Sequence, residues 1–264
     1  MEERLIIGEI PYANLFPIFH TLRKEIDCSA YTFRQGVPSR LNRMLREGEV
    51  DLSPSSSIEY LRNPSLYGII EGHSISSRGP VWSILLFSRK PLEALEGAAI
   101  SVTSQSETSV GLLRVIMEKF HGIGCEYRVS ESPETEKTEA YLLIGDDALK
   151  RRGQTGGMMV FDLGEVWYRL TGLPFVFALW VFRREIGTKK GLLDRFRKDL
   201  DEAREKALRD LRSIASCSPL RSHMTEEEIV SYWRLIDYGL SEENKKGLEL
   251  FRASLSELSY GLNS

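Results

Sequence analysis

Two clusters of short hydroxyl side chains stand where the sequence predicts that helices begin. Residues 53–57 read Ser-Pro-Ser-Ser-Ser, and residues 103–109 read Thr-Ser-Gln-Ser-Glu-Thr-Ser. The first turn of a helix presents unpaired backbone N–H groups and the positive end of the helix dipole, to which hydroxyl groups add further donors. Capping explains only one hydroxyl in each cluster. The excess predicts two carboxylate sites that together suit a dicarboxylate, and ordinary caps with surface serines are the alternative. The side chains that we expect to contact a ligand are Ser56, Ser57, Ser104, Ser106, Thr108 and Ser109.

Three further polar residues stand alone in apolar surroundings. Asn14 lies in the stretch GEIPYANLFPIF, between a predicted strand and a predicted helix, where it is either a turn residue or a ligand contact. Ser83 lies inside the β-rich stretch PVWSILLFS and either bonds to the neighbouring backbone or faces a cleft; we expect the adjoining Trp82 to line a pocket. Asp146 follows the strand-like YLLIG, where it caps the next segment, bonds to a ligand hydroxyl or braces a hinge.

The elements that position these residues alternate between strand and helix. At the start of the chain the pattern predicts strands at 5–10, 28–33 and 50–52 and helices at 15–25 and 38–47. Such alternation predicts a parallel sheet with right-handed crossovers. Ligands of open α/β sheets bind beyond the carboxyl ends of strands. Asn14, both hydroxyl clusters and Asp146 all follow predicted strands, so we expect them at one cleft.

Two long β-rich segments, 80–88 and 175–183, bracket a second α/β unit that restarts near residue 98. Within that unit, Asp162 and Glu165 have the spacing of a capping box. After residue 187 the pattern is helical, over about 190–214, 225–237 and 241–257. We therefore predict an α/β fold of two lobes joined by two crossover strands, with a helical C-terminal tail. The predicted lobes are residues 1–87 plus 180–264 and residues 88–179, and a single doubly wound domain is the alternative.

Composition and motifs exclude several classes of function. The chain has 264 residues, a net charge of −3 and a sequence pI of about 5.9, which argues against binding to nucleic acid or to an anionic membrane. The three cysteines form no C-x-x-C pair, and the four histidines have no metal-ligand spacing. No dinucleotide or Walker phosphate loop is present. We expect a cytoplasmic protein without a membrane span, a metal or another cofactor.

Six stretches, taken together and in order, resemble the chorismate dehydratases of the futalosine route to menaquinone. They cover about residues 5–184 and read GEIPYANLFPIF, GVPSRLNRMLREGEVDLSPSSSIEY, SISSRGPVWSILLFSRKPLEALEG, SETSVGLL, LLIGDDAL and FDLGEVWYRLTGLPFVFALWV. The resemblance implies the fold of type II periplasmic binding proteins, used as a cytosolic enzyme. A sister family, the 1,4-dihydroxy-6-naphthoate synthases, shares this fold but opens on a motif closer to SPCPNDTF, which this chain lacks.

The resemblance implies that chorismate, a dicarboxylate, loses water to give 3-[(1-carboxyvinyl)oxy]benzoate, without a cofactor. In the family motifs the asparagine of the first loop and the serine of the GPVxS stretch carry function, and here these are Asn14 and Ser83. The hydroxyl clusters and Asp146 would bind the substrate. Because no obvious side-chain base stands in these loops, we hypothesise that the substrate's own enolpyruvyl carboxylate takes the proton.

The chain departs from the family pattern at two positions. Ala13 precedes Asn14 where leucine is frequent, and a smaller residue there widens the pocket without removing the amide. Ser55 stands where an aliphatic residue is usual, so we favour Ser56 over Ser55 as a ligand contact. Two alternatives to the dehydratase stay open at this point, namely a small-carboxylate binding module without catalysis and the sister naphthoate synthase.

Overall fold

The computed structural model describes residues 4–260, and two five-stranded sheets form its framework. The elements up to the first crossing are β1 (Leu5–Glu9), α1 (Phe16–Glu25), β2 (Tyr31–Gln35), α2 (Pro38–Glu47), β3 (Leu52–Ser56), α3 (Ser57–Arg62) and β4 (Tyr67–Ser77). The elements between the crossings are β5 (Ile84–Ser88), β6 (Ala99–Thr103), α4 (Glu107–Arg114), which continues as a π-helix over Val115–Phe120, β7 (Glu126–Ser130), β8 (Ala140–Ile144), α5 (Gly145–Arg151), β9 (Met159–Asp162) and α6 (Leu163–Thr171). The remaining elements are β10 (Phe175–Arg183), α7 (Lys190–Arg209), α8 (Leu211–Ser216), α9 (Glu226–Leu235) and α10 (Glu242–Glu257).

The first sheet, in the order β2-β1-β3-β10-β4, defines the first lobe. Strands β2, β1 and β3 are parallel, as the strand–helix alternation predicts, but β10 is antiparallel to both of its neighbours. Residues 53–56 belong to β3 and pair with β10 from Ala178 to Val181, so the prediction that they form a loop is wrong. Pairing with a strand more than a hundred residues away is not readable from a local run of serines.

The second sheet, in the order β7-β6-β8-β5-β9, defines the second lobe. Strands β7, β6 and β8 are parallel, while β5 runs antiparallel between β8 and β9. Both lobes therefore have the same plan: three parallel strands extended by two antiparallel pairings. The predicted two-sheet α/β architecture is confirmed, and the prediction of purely parallel sheets is wrong.

Short irregular segments, and not strands, connect the two lobes. β5 bonds only within the second sheet and β10 only within the first, so the sheets divide the chain at residues 78–83 and 172–174. These positions precede the predicted boundaries at 87/88 and 179/180. The prediction of crossover strands is wrong because each β-rich segment satisfies its backbone groups inside one sheet.

The helical tail packs on both lobes. Helix α7 lies against α1 of the first lobe. In α10, the ring of Phe251 packs edge-on against Trp167 of α6 and Phe175 of β10. The tail thus bridges the lobes instead of belonging to the first alone. No helix within residues 4–260 is both long and apolar enough to cross a membrane.

Candidate active site

A cavity between the lobes brings together six of the nine predicted site residues. It encloses about 650 Å³ of empty space, including the solvent at its mouth. The predicted residues that line it are Asn14, Ser56, Ser83, Ser106, Thr108 and Ser109. Most of the remaining wall is apolar and comes from Ile10, Leu15, Ile75, Val81, Ile84, Ile144 and Phe177. The site is therefore an apolar pocket with a few convergent neutral polar groups, the usual composition of a small-molecule site.

Asn14 sits in the turn that joins β1 to α1. The N–H of Leu15 donates to the carbonyl of Tyr12 at 3.0 Å, which closes the turn and directs Asn14 toward the cavity. The Asn14 Oδ1 atom is buried and has no hydrogen-bond partner within residues 4–260. A buried acceptor without a partner is uncommon in proteins and costs about 1–3 kcal/mol. Such an atom at a cavity wall is what a site for a hydroxyl-bearing ligand requires.

Ser83 lies in the first crossing, one residue before β5, and not within the strand as predicted. Its side chain is 3% exposed, and its Oγ lies 3.3 Å from the carbonyl oxygen of Val81. Its own carbonyl accepts the N–H of Gly145 at 2.7 Å, which ties the crossing to the start of α5. The hydroxyl thus reaches the cavity from the connection between the lobes.

Asp162 explains why the strand does not begin earlier. Its Oδ2 accepts the N–H groups of Val81 and Trp82 at 2.9 and 2.7 Å, and these groups are then lost to sheet pairing. Its Oδ1 accepts the N–H of Gly164 at 3.0 Å, so Asp162 is the N-cap of α6 as predicted, but Glu165 pairs with Arg169 and does not complete a capping box. Burial raises the pKa of the Asp162 carboxyl. Sequence analysis found the cap and missed the bond to the crossing.

Trp82 does not line the cavity, so that expectation is wrong. Its φ of 60° lies in the left-handed region, which side chains other than glycine seldom adopt. The guanidinium of Arg152 stacks on the ring, 3.5 Å from its centroid.

The second hydroxyl cluster forms the start of α4 at the cavity. Ser106 is the N-cap, and its Oγ accepts the N–H of Ser109 at 3.2 Å. The two hydroxyl groups lie 3.0 Å apart. Thr108 Oγ1 reaches across the cleft and accepts the N–H of Ile58 at 3.1 Å, so it caps the opposing helix α3. Gly111 eases this approach, because a Cβ atom there would lie 2.8 Å from Cδ1 of Ile58 and that side chain would have to shift.

The first cluster contributes only Ser56 to the cavity. Ser57 is fully buried and donates its hydroxyl to the carbonyl of Val176 at 2.6 Å, which removes it from the predicted ligand contacts. Ser55 is buried away from the cavity, in agreement with the preference for Ser56.

Ser104 and Asp146 do not line the cavity either. Ser104 is exposed at the mouth of the cleft. The Asp146 carboxylate accepts the N–H of Ala13 at 3.2 Å, from the opposite lobe. Of the three interpretations that the sequence left open for Asp146, the geometry matches the brace. Burial raises the pKa of this carboxyl.

Tyr12 is a functional candidate that sequence analysis missed, although it lies two residues from Asn14. Its hydroxyl donates to Gln105 Oε1 across the cleft at 2.9 Å, and its ring lines the cavity. Burial, with a smaller contribution from the carboxylates of Asp146 and Asp147, raises the pKa of Tyr12 to about 12. The phenol therefore stays protonated at neutral pH and holds the lobes closed instead of accepting a proton.

The cavity wall carries no formal charge. No Asp, Glu, His, Lys or Arg is among the residues of the described chain that line it. Arg62 and Glu107 form an ion pair between the two lobes, at the mouth of the cleft. An anionic ligand inside would be bound by neutral donors and helix starts.

Solved structures that resemble the chain agree with the two-sheet architecture. A protein from Archaeoglobus fulgidus superposes with a TM-score of 0.79 at 16% identity, over 97% of this chain and 98% of that one. The periplasmic aliphatic sulphonate binding protein of Escherichia coli superposes with a TM-score of 0.63 at 14% identity, over 98% and 94% of the two chains. The predicted periplasmic-binding-protein-like fold is confirmed.

Sequence comparison identifies the family. A family described as menaquinone biosynthesis matches residues 5–257. The chorismate dehydratase of Thermus thermophilus is 34% identical over 268 residues, which span 95% of this chain and 94% of that protein. A 1,4-dihydroxy-6-naphtoate synthase from the same organism is 28% identical, over 91% and 82% of the two chains. The chain belongs to the menaquinone biosynthesis family.

Proposed function

We propose that this protein is a chorismate dehydratase, which converts chorismate to 3-[(1-carboxyvinyl)oxy]benzoate and water at the start of the futalosine route to menaquinone. The observation that carries the proposal is the interlobe cavity, where Asn14 and Ser83 meet the hydroxyl-rich start of α4 on an uncharged wall. The identity to the Thermus dehydratase over nearly the whole of both chains supports it. The enzyme class that follows is a carbon–oxygen lyase.

The reaction needs one proton removed and one hydroxyl released. The C–H bond breaks at the ring carbon that bears the enolpyruvyl ether, and its electron pair becomes the new ring double bond. The neighbouring C–O bond breaks, and the hydroxyl leaves with that bond's electron pair. The enolpyruvyl carboxylate takes the proton and passes it on to the departing hydroxyl, so that water forms. The ring becomes aromatic, which supplies the driving force.

The uncharged wall supports the role of the substrate as its own base. With no carboxylate or imidazole among the described lining residues, the strongest base that can enter is the carboxylate of the ligand. Holding it against the reacting C–H bond makes the proton transfer intramolecular, and well-oriented transfers of this type are strongly accelerated. The apolar surroundings also strengthen each hydrogen bond to the charged groups.

Asn14 and Ser83 are the groups that we assign to the ring hydroxyl. An asparagine amide donates or accepts without changing its charge, and Oδ1 of Asn14 is buried and unpaired within the described chain. Ser83 Oγ lies 3.3 Å from the carbonyl oxygen of Val81 and also hydrogen-bonds to the hydroxyl of Tyr232, so its proton has to turn from these partners to reach a ligand. Oδ1 of Asn14 can accept the proton of the ring hydroxyl and so orient it, while the side-chain N–H of Asn14 and the O–H of Ser83 are the donors that stabilise negative charge on its oxygen as the C–O bond breaks.

The two carboxylates of chorismate are assigned to different surroundings in the cavity. The start of α4 offers the hydroxyl groups of Ser106 and Ser109 together with the helix dipole, which favours a negative charge. Ser56 faces this helix start from the first lobe. We assign one carboxylate to this side of the cavity and leave the other free to face the reacting C–H bond.

One assay tests the function against its alternatives. The purified protein is incubated with chorismate, and the mixture is followed for the aromatic product. Formation of that product supports the dehydratase. Saturable chorismate binding without conversion supports a binding module, and neither binding nor conversion supports the sister naphthoate synthase.

We also propose that the protein works in the cytosol. Cys28, Cys125 and Cys217 are all free thiols. Burial raises the pKa of the first two, which makes them less reactive. Unpaired cysteines are typical of a reducing compartment.

A further inference from the structure

The loop that carries Asn14 is held by side chains from the far end of the chain. The indole N–H of Trp233 donates to the carbonyl of Ala13 at 2.8 Å. The hydroxyl of Tyr238 donates to the carbonyl of Asn14, also at 2.8 Å. Two consecutive peptide groups of the loop are therefore fixed by residues more than two hundred positions later in the sequence.

Backbone hydrogen bonds to β4 hold the segment that carries Tyr238. Its neighbour Asp237 exchanges two backbone bonds with Ser76 of β4, at 3.0 and 2.8 Å. The carbonyl of Tyr238 accepts the N–H of Ser74 at 3.1 Å. Ile75, between these two serines, lines the cavity. The segment around Tyr238 thus extends the strand that forms part of the cavity wall, and the hydroxyl is fixed relative to that wall.

Neither of the two donors is in a position to touch a ligand in the cavity. Trp233 and Tyr238 are 0% and 3% exposed, and neither is among the described residues that line the cavity. Trp233 stacks on Phe16 of α1, with ring centroids 6.0 Å apart and planes 11° from parallel. Burial raises the pKa of Tyr238 well above its ordinary value, so its hydroxyl remains a donor.

We propose that Tyr238, with Trp233, is a positioning residue that fixes the backbone of Asn14 and thereby aims its amide into the cavity. The C-terminal tail is then part of the active site and not only a cover for the first lobe. The kinetic side of this proposal rests on the proposed dehydratase function, while the geometric side does not. A displacement of about 1 Å at a reacting group can lower a rate by about a hundredfold.

The test removes one oxygen atom in Tyr238→Phe. Tyr31→Phe is the matched control, because Tyr31 is also buried and donates its hydroxyl to Asp199, but it lies outside the interlobe cavity. Both variants should lower the melting temperature by a similar few degrees. Only Tyr238→Phe should lower kcat for chorismate, by about tenfold to a hundredfold, with KM changed less than about twofold. Trp233→Phe, with Trp180→Phe as its control, repeats the test if Tyr238→Phe does not fold.

A second readout needs no substrate. The side-chain amide resonances of Asn14, assigned in a ¹⁵N spectrum by their loss in Asn14→Ala, should move in Tyr238→Phe and stay in place in Tyr31→Phe. Unmoved Asn14 resonances, or an unchanged kcat in an active enzyme, would overturn the positioning role. If the wild-type protein does not convert chorismate and the resonances still move, the proposed function fails while the positioning role stands.

Discussion

The two hydroxyl clusters look alike in the sequence, but the fold uses them differently. Of residues 53–57, only Ser56 lines the interlobe cavity. Of residues 103–109, three do: Ser106, Thr108 and Ser109. The difference arises because β3 runs on to residue 56, paired with β10, whereas β6 ends at Thr103 and leaves the residues that follow to form a helix start.

The secondary structure around a run of serines determines whether their hydroxyl groups can reach a cavity. A hydroxyl group in a strand or directly after it can be bonded by the sheet, as when Ser57 donates to the carbonyl of Val176. Hydroxyl groups at the start of α4 line the cavity and lie at the positive end of the helix dipole. We therefore favour the α4 start over residues 53–57 as a carboxylate site.

Asn14→Ala gives the largest expected effect, since neither cluster replaces a group that acts on the leaving hydroxyl. Removing one preorganised donor at a reacting atom lowers kcat by about 10²–10³-fold. KM should change little, because the carboxylate sites are intact. Steady-state kinetics with chorismate measure both. Near-normal turnover would refute the role assigned to Asn14.

Thr108→Val tests whether the hydroxyl groups at the start of α4 contribute to substrate binding. It removes a cavity hydroxyl and the cap on the N–H of Ile58 while keeping the side chain's volume. We expect KM for chorismate to rise about tenfold, the value of one lost hydrogen bond near a charged group. An equal rise in Ser104→Ala, at the exposed start of the same cluster, would contradict the assignment, because Ser104 does not line the cavity.

The Asp146 carboxyl should make kcat/KM depend on pH, which the hydroxyl groups of the two clusters cannot do because they do not titrate. Burial raises the pKa of this carboxyl, so as the pH falls through that pKa the group protonates and its bond to the N–H of Ala13 weakens. The rate kcat/KM should therefore decrease toward acid pH, and Asp146→Asn should flatten that limb of the profile. Folding stability responds in the opposite direction: a raised carboxyl pKa in the folded state means that its contribution to stability decreases as the pH rises. If the acid limb is unchanged in Asp146→Asn, protonation of Asp146 is not the cause of the decrease in kcat/KM.

Ser57→Ala gives the smallest kinetic effect. The variant loses the bond to Val176, so the free energy of unfolding should fall by about 1–2 kcal/mol. Chemical denaturation measures this loss. The value of KM should stay at that of the wild-type protein, and a tenfold increase would show that Ser57 binds substrate after all.

Local sequence predicts the parts of this site that depend on short-range chemistry. The loop of Asn14 follows a strand, Asp162 caps α6, and Ser106 caps α4, each readable from a few residues. Ser57 was placed wrongly because its partner is Val176, more than a hundred residues away. The bonds of Trp233 and Tyr238 to the first loop have no local signal, because only tertiary packing brings the two ends of the chain together.

The most direct test of the account is the position of the aromatic product in a crystal structure of the complex. We expect the product in the interlobe cavity, with one carboxylate at Ser106 and Ser109 and with the ring carbon that lost its hydroxyl beside Asn14 and Ser83. A product bound outside this cavity, or inside it with that carbon turned away from Asn14, would contradict the account.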